Sequence, residues 1–321
     1  MAFLDSELSA RVLESELLKR VDWVLTLMES EQGALQLRFV KAGQAPEFAA
    51  AVAEVLAANH IPVLLCDRAA PTPVISYSIV DRKASGAIII TASHNPALWN
   101  GFKYKPEYAG SATPEVTDAL EWHIARAAAG GGPRSLPLME ALREGRVVPL
   151  DPRPVYLRHI RELVDVEVVQ RAGLRVVVDS MYGTGAGYIT GLLEGGATQV
   201  VEIHGERNPA FPGLQRPEPI APNLAPLREE VLGREFDVGI ATDGDADRVG
   251  GVDERGEFFT PLQLFALLAL YLLEVRGLRG PLVKSITTSS MIYRLGELYG
   301  VPVYETPVGF KYLGPVMTRE N

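Results

Sequence analysis

Three carboxylates at alternate positions mark the hexapeptide Asp243-Gly244-Asp245-Ala246-Asp247-Arg248, which follows an apolar run that reads as a buried strand over 237–241. Carboxylates spaced this way past a strand's C-terminal end converge on one point when the loop wraps, and Gly244 frees the backbone to wrap. A donor set of oxygens alone suits a hard cation and predicts Mg²⁺ on Asp243, Asp245 and Asp247, with positions left for a phosphate oxygen. Two readings compete with it. One is an acidic surface turn, since Asp and Gly are common there. The other is an EF-hand-like calcium loop, which counted from Asp243 has Glu254 at position twelve but no glycine at position six. The preceding strand and the missing glycine favour Mg²⁺.

Thr91-Ala92-Ser93-His94-Asn95-Pro96 stands in the same relation to a strand read over 87–91. A small hydroxyl beside an imidazole and an amide, ahead of a proline that fixes the turn, lies where α/β proteins bind ligands. Ser93 is therefore a candidate nucleophile or phosphoryl carrier. The competing reading is a polar turn whose Ser and Asn cap the next helix. Lys103, within Asn100-Gly101-Phe102-Lys103-Tyr104, is a candidate proton donor or acceptor, set against the usual solvated surface lysine.

Loops of this kind need strands to present them. From about residue 60, short Val- and Ile-rich runs alternate with helical patterns, the signature of an α/β fold on mostly parallel sheets. Strands are expected over 61–66 and 87–91 and a helix over 113–129, broken by the glycines and proline at 130–133. A second series has a helix over 155–164, strands over 175–179, 199–204 and 237–241, and a helix over 188–193. Gly183, Gly185 and Gly187 lack the spacing of a dinucleotide fingerprint and read as a tight turn with close helix packing. A third series opens at Thr260, an N-cap before Pro261, with helices over 262–275 and 290–299 and strands over 282–285 and 301–305. Residues 1–45 differ: Leu8, Val12, Leu13, Leu17 and Val21 recur at helical spacing and predict one amphipathic helix, followed by a strand over 34–40.

Composition excludes several classes. The 321 residues are about twice a typical domain's length, which favours several domains. A formal charge of -9, without any Lys/Arg-rich run, argues against nucleic acid as a partner. The longest apolar stretch, over 262–275, is too short to span a bilayer and contains Gln263 and Glu274, so no membrane association is expected. The single Cys66 excludes an internal disulfide framework, and no signal-peptide pattern opens the chain, so a cytoplasmic location is expected.

Together these residues resemble the α-D-phosphohexomutase family, the phosphoglucomutase and phosphomannomutase group. Thr91 to Pro96 is similar to its phosphoserine loop, Asn100 to Lys103 to the segment bearing its acid/base lysine, and Asp243 to Arg248 to its magnesium loop. Pro71-Thr72-Pro73, Arg216-Pro217-Glu218-Pro219 and Thr306-Pro307-Val308-Gly309-Phe310-Lys311 are further matches, in family order. The resemblance implies repeated three-layer α/β/α domains with mixed, mostly parallel sheets: a phosphoserine-loop domain over 1–150, a magnesium-binding domain over 151–257 and an incomplete sugar-binding domain over 258–321. It implies a phosphoserine at Ser93 that gives its phosphoryl group to a hexose 1- or 6-phosphate of glucose or mannose, through a bisphosphorylated sugar. Mg²⁺ would lie between Ser93 and the three aspartates. Arg248 would add positive charge, Lys103 would relay the proton and His94 would orient the serine loop. Val308, Gly309 and Lys311 would contact the sugar, against the alternative of a plain strand-to-helix turn.

The resemblance fails at both ends. Residues 1–45 lack the family's Gly-rich opening strand with its arginine, and neither the Glu-x-Ser-Gly sugar-reading loop nor the fourth domain's Arg-Ser-Gly-Thr phosphate loop occurs. Remote phosphate binding supplies orientation and energy for transfer, so impaired turnover is expected. Three readings stand: a shortened phosphohexomutase, an inactive Mg²⁺-binding paralogue, and a weak phosphate-ester hydrolase.

Overall fold

A computed structural model describes residues 2–3, 36–38, 45–96, 99–129 and 133–320. The helix expected in the first 45 residues lies outside them, as do the glycines at 130–132; of the strand expected over 34–40, Gln36–Arg38 is described.

The first group of elements is built on β4 (Gly86–Ile90), in which Ala87, Ile88 and Ile89 are buried and Ile90 is half-buried. It pairs antiparallel with β5 (Trp99–Pro106) and β1 (Ala2–Phe3), and β5 pairs antiparallel with β2 (Gln36–Arg38). Separately, β3 (Val63–Cys66) pairs parallel with β6 (Val147–Leu150). One core lies between α1 (Ala45–Ala58), β3 and Ile88 of β4, holding Val52, Leu56 and Ile61 at 1% exposure or less. A second core packs α2 (Thr72–Arg82) on the other face of β4, through Val74, Ile75 and Ile79, and reaches Tyr188 of the following group.

The second group is a five-stranded mixed sheet in the order β11 (Phe258–Phe259), β10 (Val249–Asp253), β9 (Val238–Thr242), β7 (Arg175–Asp179), β8 (Gln199–Ile203). Its β7 reads Arg-Val-Val-Val-Asp, with all three valines at 2% exposure or less. A strand apolar on both faces belongs in the middle of a parallel sheet, and β8 and β9 flank it in parallel. The β9–β10 and β10–β11 pairs are antiparallel. Leu227 and Val231 of helix Ala225–Gly233 cover the sheet together with Leu224.

The third group has β12 (Leu282–Ser285) parallel to β13 (Val303–Thr306), with helices Pro261–Leu270, Met291–Tyr299 and Phe310–Glu320. Thr260 is the expected N-cap and forms a full capping box with Gln263. The helix expected to run unbroken to 275 changes to a π-helical turn at Tyr271–Val275. The strand expected from 301 starts two residues later: the Val301 N–H is committed to Gly296 O at 2.9 Å, and Pro302 has none to give. The architecture is α/β with mixed sheets. No described helix is long and apolar enough to cross a membrane.

Candidate active site

Both loops singled out in the sequence are β-hairpin connections. Thr242 pairs with Val249, so residues 243–248 close the β9–β10 hairpin. Ile90 pairs with Phe102 and Thr91 N–H donates to Gly101 O at 2.9 Å, so the serine loop closes the β4–β5 hairpin. The register then decides what stands beside the serine. Lys103 is opposite Ile89 on the return strand, which carries its amine back toward the same end of the sheet.

The two hairpins meet backbone to backbone. A Cβ on Gly244 would lie 2.6 Å from the Ser93 carbonyl oxygen and 3.0 Å from Pro217 Cγ, so glycine is needed there for close approach. The left-handed residue of the turn is Ala246, at φ 53°, and not Gly244; the expected wrapping role of that glycine is corrected accordingly. Gly183 packs closely on the backbone of this acidic turn and not on the expected helix: a Cβ on it would lie 2.7 Å from Gly244 O. Ser93 itself is left-handed, φ 54°, held by its N–H donating to Thr91 Oγ1 at 2.8 Å. Such a conformation is sparsely populated outside glycine and is kept by its surroundings.

The aspartates are sorted by burial. Asp243 and Asp245 are 0% and 4% exposed, Asp247 is exposed, and one carboxylate oxygen from each lies within 4.8 Å of the others. Asp243 Oδ1 accepts from the backbone N–H groups of Asp247 and Arg248 at 2.9 and 3.0 Å, and Oδ2 faces Ser93 Oγ at 3.4 Å. Asp245 Oδ2 accepts three hydrogen bonds: Thr72 Oγ1 at 2.9 Å, Thr91 Oγ1 at 3.0 Å and Lys103 Nζ at 3.1 Å. Its Oδ1 is buried with no hydrogen-bond partner. A buried carboxylate oxygen without a donor is uncommon in folded proteins, and a cation satisfies it; the donor set fits a hard divalent metal.

Charge follows the same geometry. Burial, then repulsion from Asp245 and Asp247, pushes the Asp243 carboxyl from its ordinary 3.8 up to about 7. Burial pushes Asp245 upward as well, but the Lys103 charge and the hydroxyl donors outweigh it and hold that carboxyl below the ordinary range. His94 Nδ1 lies 3.3 Å from Ser93 Oγ, and burial together with the Arg248 charge lowers its basicity. Arg248 Nη1 donates to Glu218 Oε1 at 2.8 Å.

Ser93, His94, Lys103, Asp243, Asp245, Asp247 and Arg248 thus share one cluster. Val308, Gly309 and Lys311 lie past the end of β13, and among the described residues none of them hydrogen-bonds or ion-pairs with it. Three members carried no expected role: Thr72, Thr91 and Glu218. Thr91 could have been found from its place at a strand end; Thr72 reaches Asp245 across 173 positions, which no local spacing reveals. The hairpins border a cavity of about 340 Å³ whose wall includes Ser93, Asn95, Asn100 and Asp245 as well as Arg68 and Arg207.

Three stretches match descriptions of known protein domains: phosphoglucomutase/phosphomannomutase alpha/beta/alpha domain I over residues 43–130, domain II over 154–256 and domain III over 260–321. A phosphoglucomutase/phosphomannomutase of Thermococcus kodakarensis is 32% identical over 78% of this chain and 53% of its own length. A phosphoglucosamine mutase of Thermobifida fusca is 32% identical over 76% of this chain and 51% of its own. The crystal structure of a candidate phosphomannomutase from Thermus thermophilus superposes with a TM-score of 0.76 at 35% identity, over 84% of this chain and 59% of that one. The chain spans about half the length of the curated relatives it matches.

Proposed function

This chain belongs to the phosphoglucomutase/phosphomannomutase family, and on that premise we propose that it moves a phosphoryl group between the 1- and 6-positions of a hexose phosphate by way of Ser93. The observation that carries the reading is the approach of Ser93 Oγ to Asp243 beside the Lys103–Asp245 pair, with a buried Asp245 oxygen left free. Phosphorylated Ser93 gives its group to a sugar hydroxyl: the phosphorus–oxygen bond to serine breaks, one to the sugar forms, and a bisphosphorylated sugar results, which then returns its other phosphoryl group to the serine oxygen and leaves as the isomeric monophosphate. The proton leaving that hydroxyl ends on the serine oxygen, and Lys103 manages its passage. Arg248 offers a guanidinium fork to the phosphoryl oxygens, and His94 holds the serine side chain through Nδ1.

Asp243, Asp245 and Asp247, with Ser93, would hold Mg²⁺, which when bound neutralises charge on the transferring group. The substrate class is a hexose phosphate, glucose or mannose 1- or 6-phosphate, with glucosamine phosphate a named substrate type among the relatives. Val308, Gly309 and Lys311 are proposed sugar contacts, and the domain bounds 1–150, 151–257 and 258–321 are proposed with them.

Incubation with glucose 1,6-bisphosphate and Mg²⁺, read by intact mass and by a coupled assay on glucose 1-phosphate and mannose 1-phosphate, tests the reading. One added phosphate on Ser93 supports it. Phosphate release without isomer product would favour ester hydrolysis, and no uptake would favour a non-catalytic Mg²⁺-binding protein.

A further inference from the structure

Glu218 sits in Arg216-Pro217-Glu218-Pro219, a segment packed on the acidic hairpin by backbone: Gly244 N–H donates to Pro217 O at 3.2 Å, and a Cβ on Gly250 would lie 2.4 Å from Pro219 O. Its carboxylate is 15% exposed and meets three cationic or basic groups. Arg248 Nη1 donates to Oε1 at 2.8 Å, His94 Nε2 lies 3.9 Å from the same oxygen, and Arg216 Nε lies 2.9 Å from Oε2 without hydrogen-bond alignment. Glu218 therefore links the serine loop, through His94, to the acidic hairpin, through Arg248.

We propose that Glu218 is a positioning residue: it fixes the Arg248 guanidinium beside the serine loop. The physical reason is entropy and repulsion. Arg248 and Arg216 are each nearly half exposed, at 44% and 46%, on long side chains with many rotamers. Without an anion between them, two like charges converge on one loop and separate into solvent. A rigid carboxylate on a proline-flanked backbone holds the fork in one place before any phosphate arrives, which is how oriented charge acts without reorganising. An amide cannot substitute, because its single oxygen leaves an NH₂ facing one of the two guanidiniums.

The inference rests on the phosphoryl-transfer reading above, and its test separates the two. Ser93 phosphorylation by glucose 1,6-bisphosphate with Mg²⁺ is timed by intact mass for the full chain, Glu218→Gln, Arg248→Ala and the double variant. Glu218→Gln should slow uptake about 10-fold or more, the usual range for groups that orient a reacting residue. In the Arg248→Ala background the same change should cost less than about twofold, because the residue acts through Arg248. Equal losses in both backgrounds, or wild-type speed in Glu218→Gln, overturn it. So does loss of the Mg²⁺-induced rise in melting temperature in Glu218→Gln, since the carboxylate would then serve the metal site instead. If the wild-type chain takes up no phosphate, the transfer reading fails instead, and crystal structures of wild type and Glu218→Gln decide: an Arg248 guanidinium displaced in the variant supports positioning, an unmoved one overturns it.

Discussion

Ser93 Oγ lies 3.4 Å from Asp243 Oδ2, although 150 positions separate the two residues in the chain. This contact joins two hairpins whose chemistry is complementary, a hydroxyl that can carry a phosphoryl group and carboxylates that can hold a cation. Its consequences can be measured.

Mg²⁺ should stabilise the chain by mass action. At a hundredfold excess over Kd the gain is about 2.7 kcal/mol, or a rise in melting temperature of roughly 4 °C for a protein of this size. Asp245→Asn should lose most of that rise, since it removes charge from the carboxylate whose Oδ1 is buried without a partner. Thermal unfolding with and without Mg²⁺ checks this; an undiminished rise in the variant would reject the metal assignment.

Mg²⁺ affinity should depend on pH through Asp243. Its carboxyl is raised from 3.8 to about 7, so the folded protein binds that proton more tightly than the unfolded chain does. The group's contribution to metal-free stability is thus full below its unfolded value and is lost as pH rises through about 7. A cation needs the ionised form and displaces the proton. Affinity measured by calorimetry should climb up to about tenfold per pH unit toward pH 7 and level off above it. A flat profile from pH 5 to pH 8 would contradict the shift.

Ser93 should be the acceptor when the chain is treated with a hexose 1,6-bisphosphate, and Lys103→Met should slow uptake by about 10² or more while leaving the acceptor unchanged. Phosphopeptide mapping locates the group. Finding it on Thr91 or Ser111 would dismiss Ser93 as the carrier.

Gly244→Ala should destabilise the fold by about 1–3 kcal/mol, because its methyl group would stand 2.6 Å from the Ser93 carbonyl oxygen and force the hairpins apart. Gly233→Ala is the matched control, with nothing within 4 Å of the added carbon in its helix. Equal melting temperatures for the two variants would show that the hairpins need no such contact.

Much of this protein is legible in the sequence because the relevant physics is local. The Val176 to Val178 run announces a central strand, since only a strand buried on both faces is apolar at consecutive positions. Thr260 and Pro261 announce a helix start, one by capping its first turn and the other by presetting φ, although the capping box with Gln263 shows only in the structure. The alternation of Asp243, Asp245 and Asp247 places three carboxylates on one loop wherever that loop goes. The helices at Ala45–Ala58, Thr72–Arg82 and Ala225–Gly233 and the strand at Trp99–Pro106 are absent from the sequence reading. Phe102-Lys103-Tyr104-Lys105 does alternate, with both aromatics packed on the core, but the run is short and preceded by Asn100-Gly101, a turn signal that hides the strand.

What the sequence determined by itself was the content of each loop: a hydroxyl, an imidazole, a lysine, three carboxylates and an arginine. Only the tertiary structure decided which of them meet. Lys103 reaches Asp245 because of an antiparallel register, Ile89 against Lys103, and Thr72 reaches the same oxygen because the start of α2 is seated on the acidic turn, with Thr72 N–H donating to Asp245 O at 2.9 Å. Glu218 takes on a role only where its backbone is wedged against Gly244 and Gly250. Spacing along a chain constrains neighbours within a turn or a strand, whereas contacts across 150 residues depend on which strands pair and which glycines let backbones touch; those choices are made by the whole core at once.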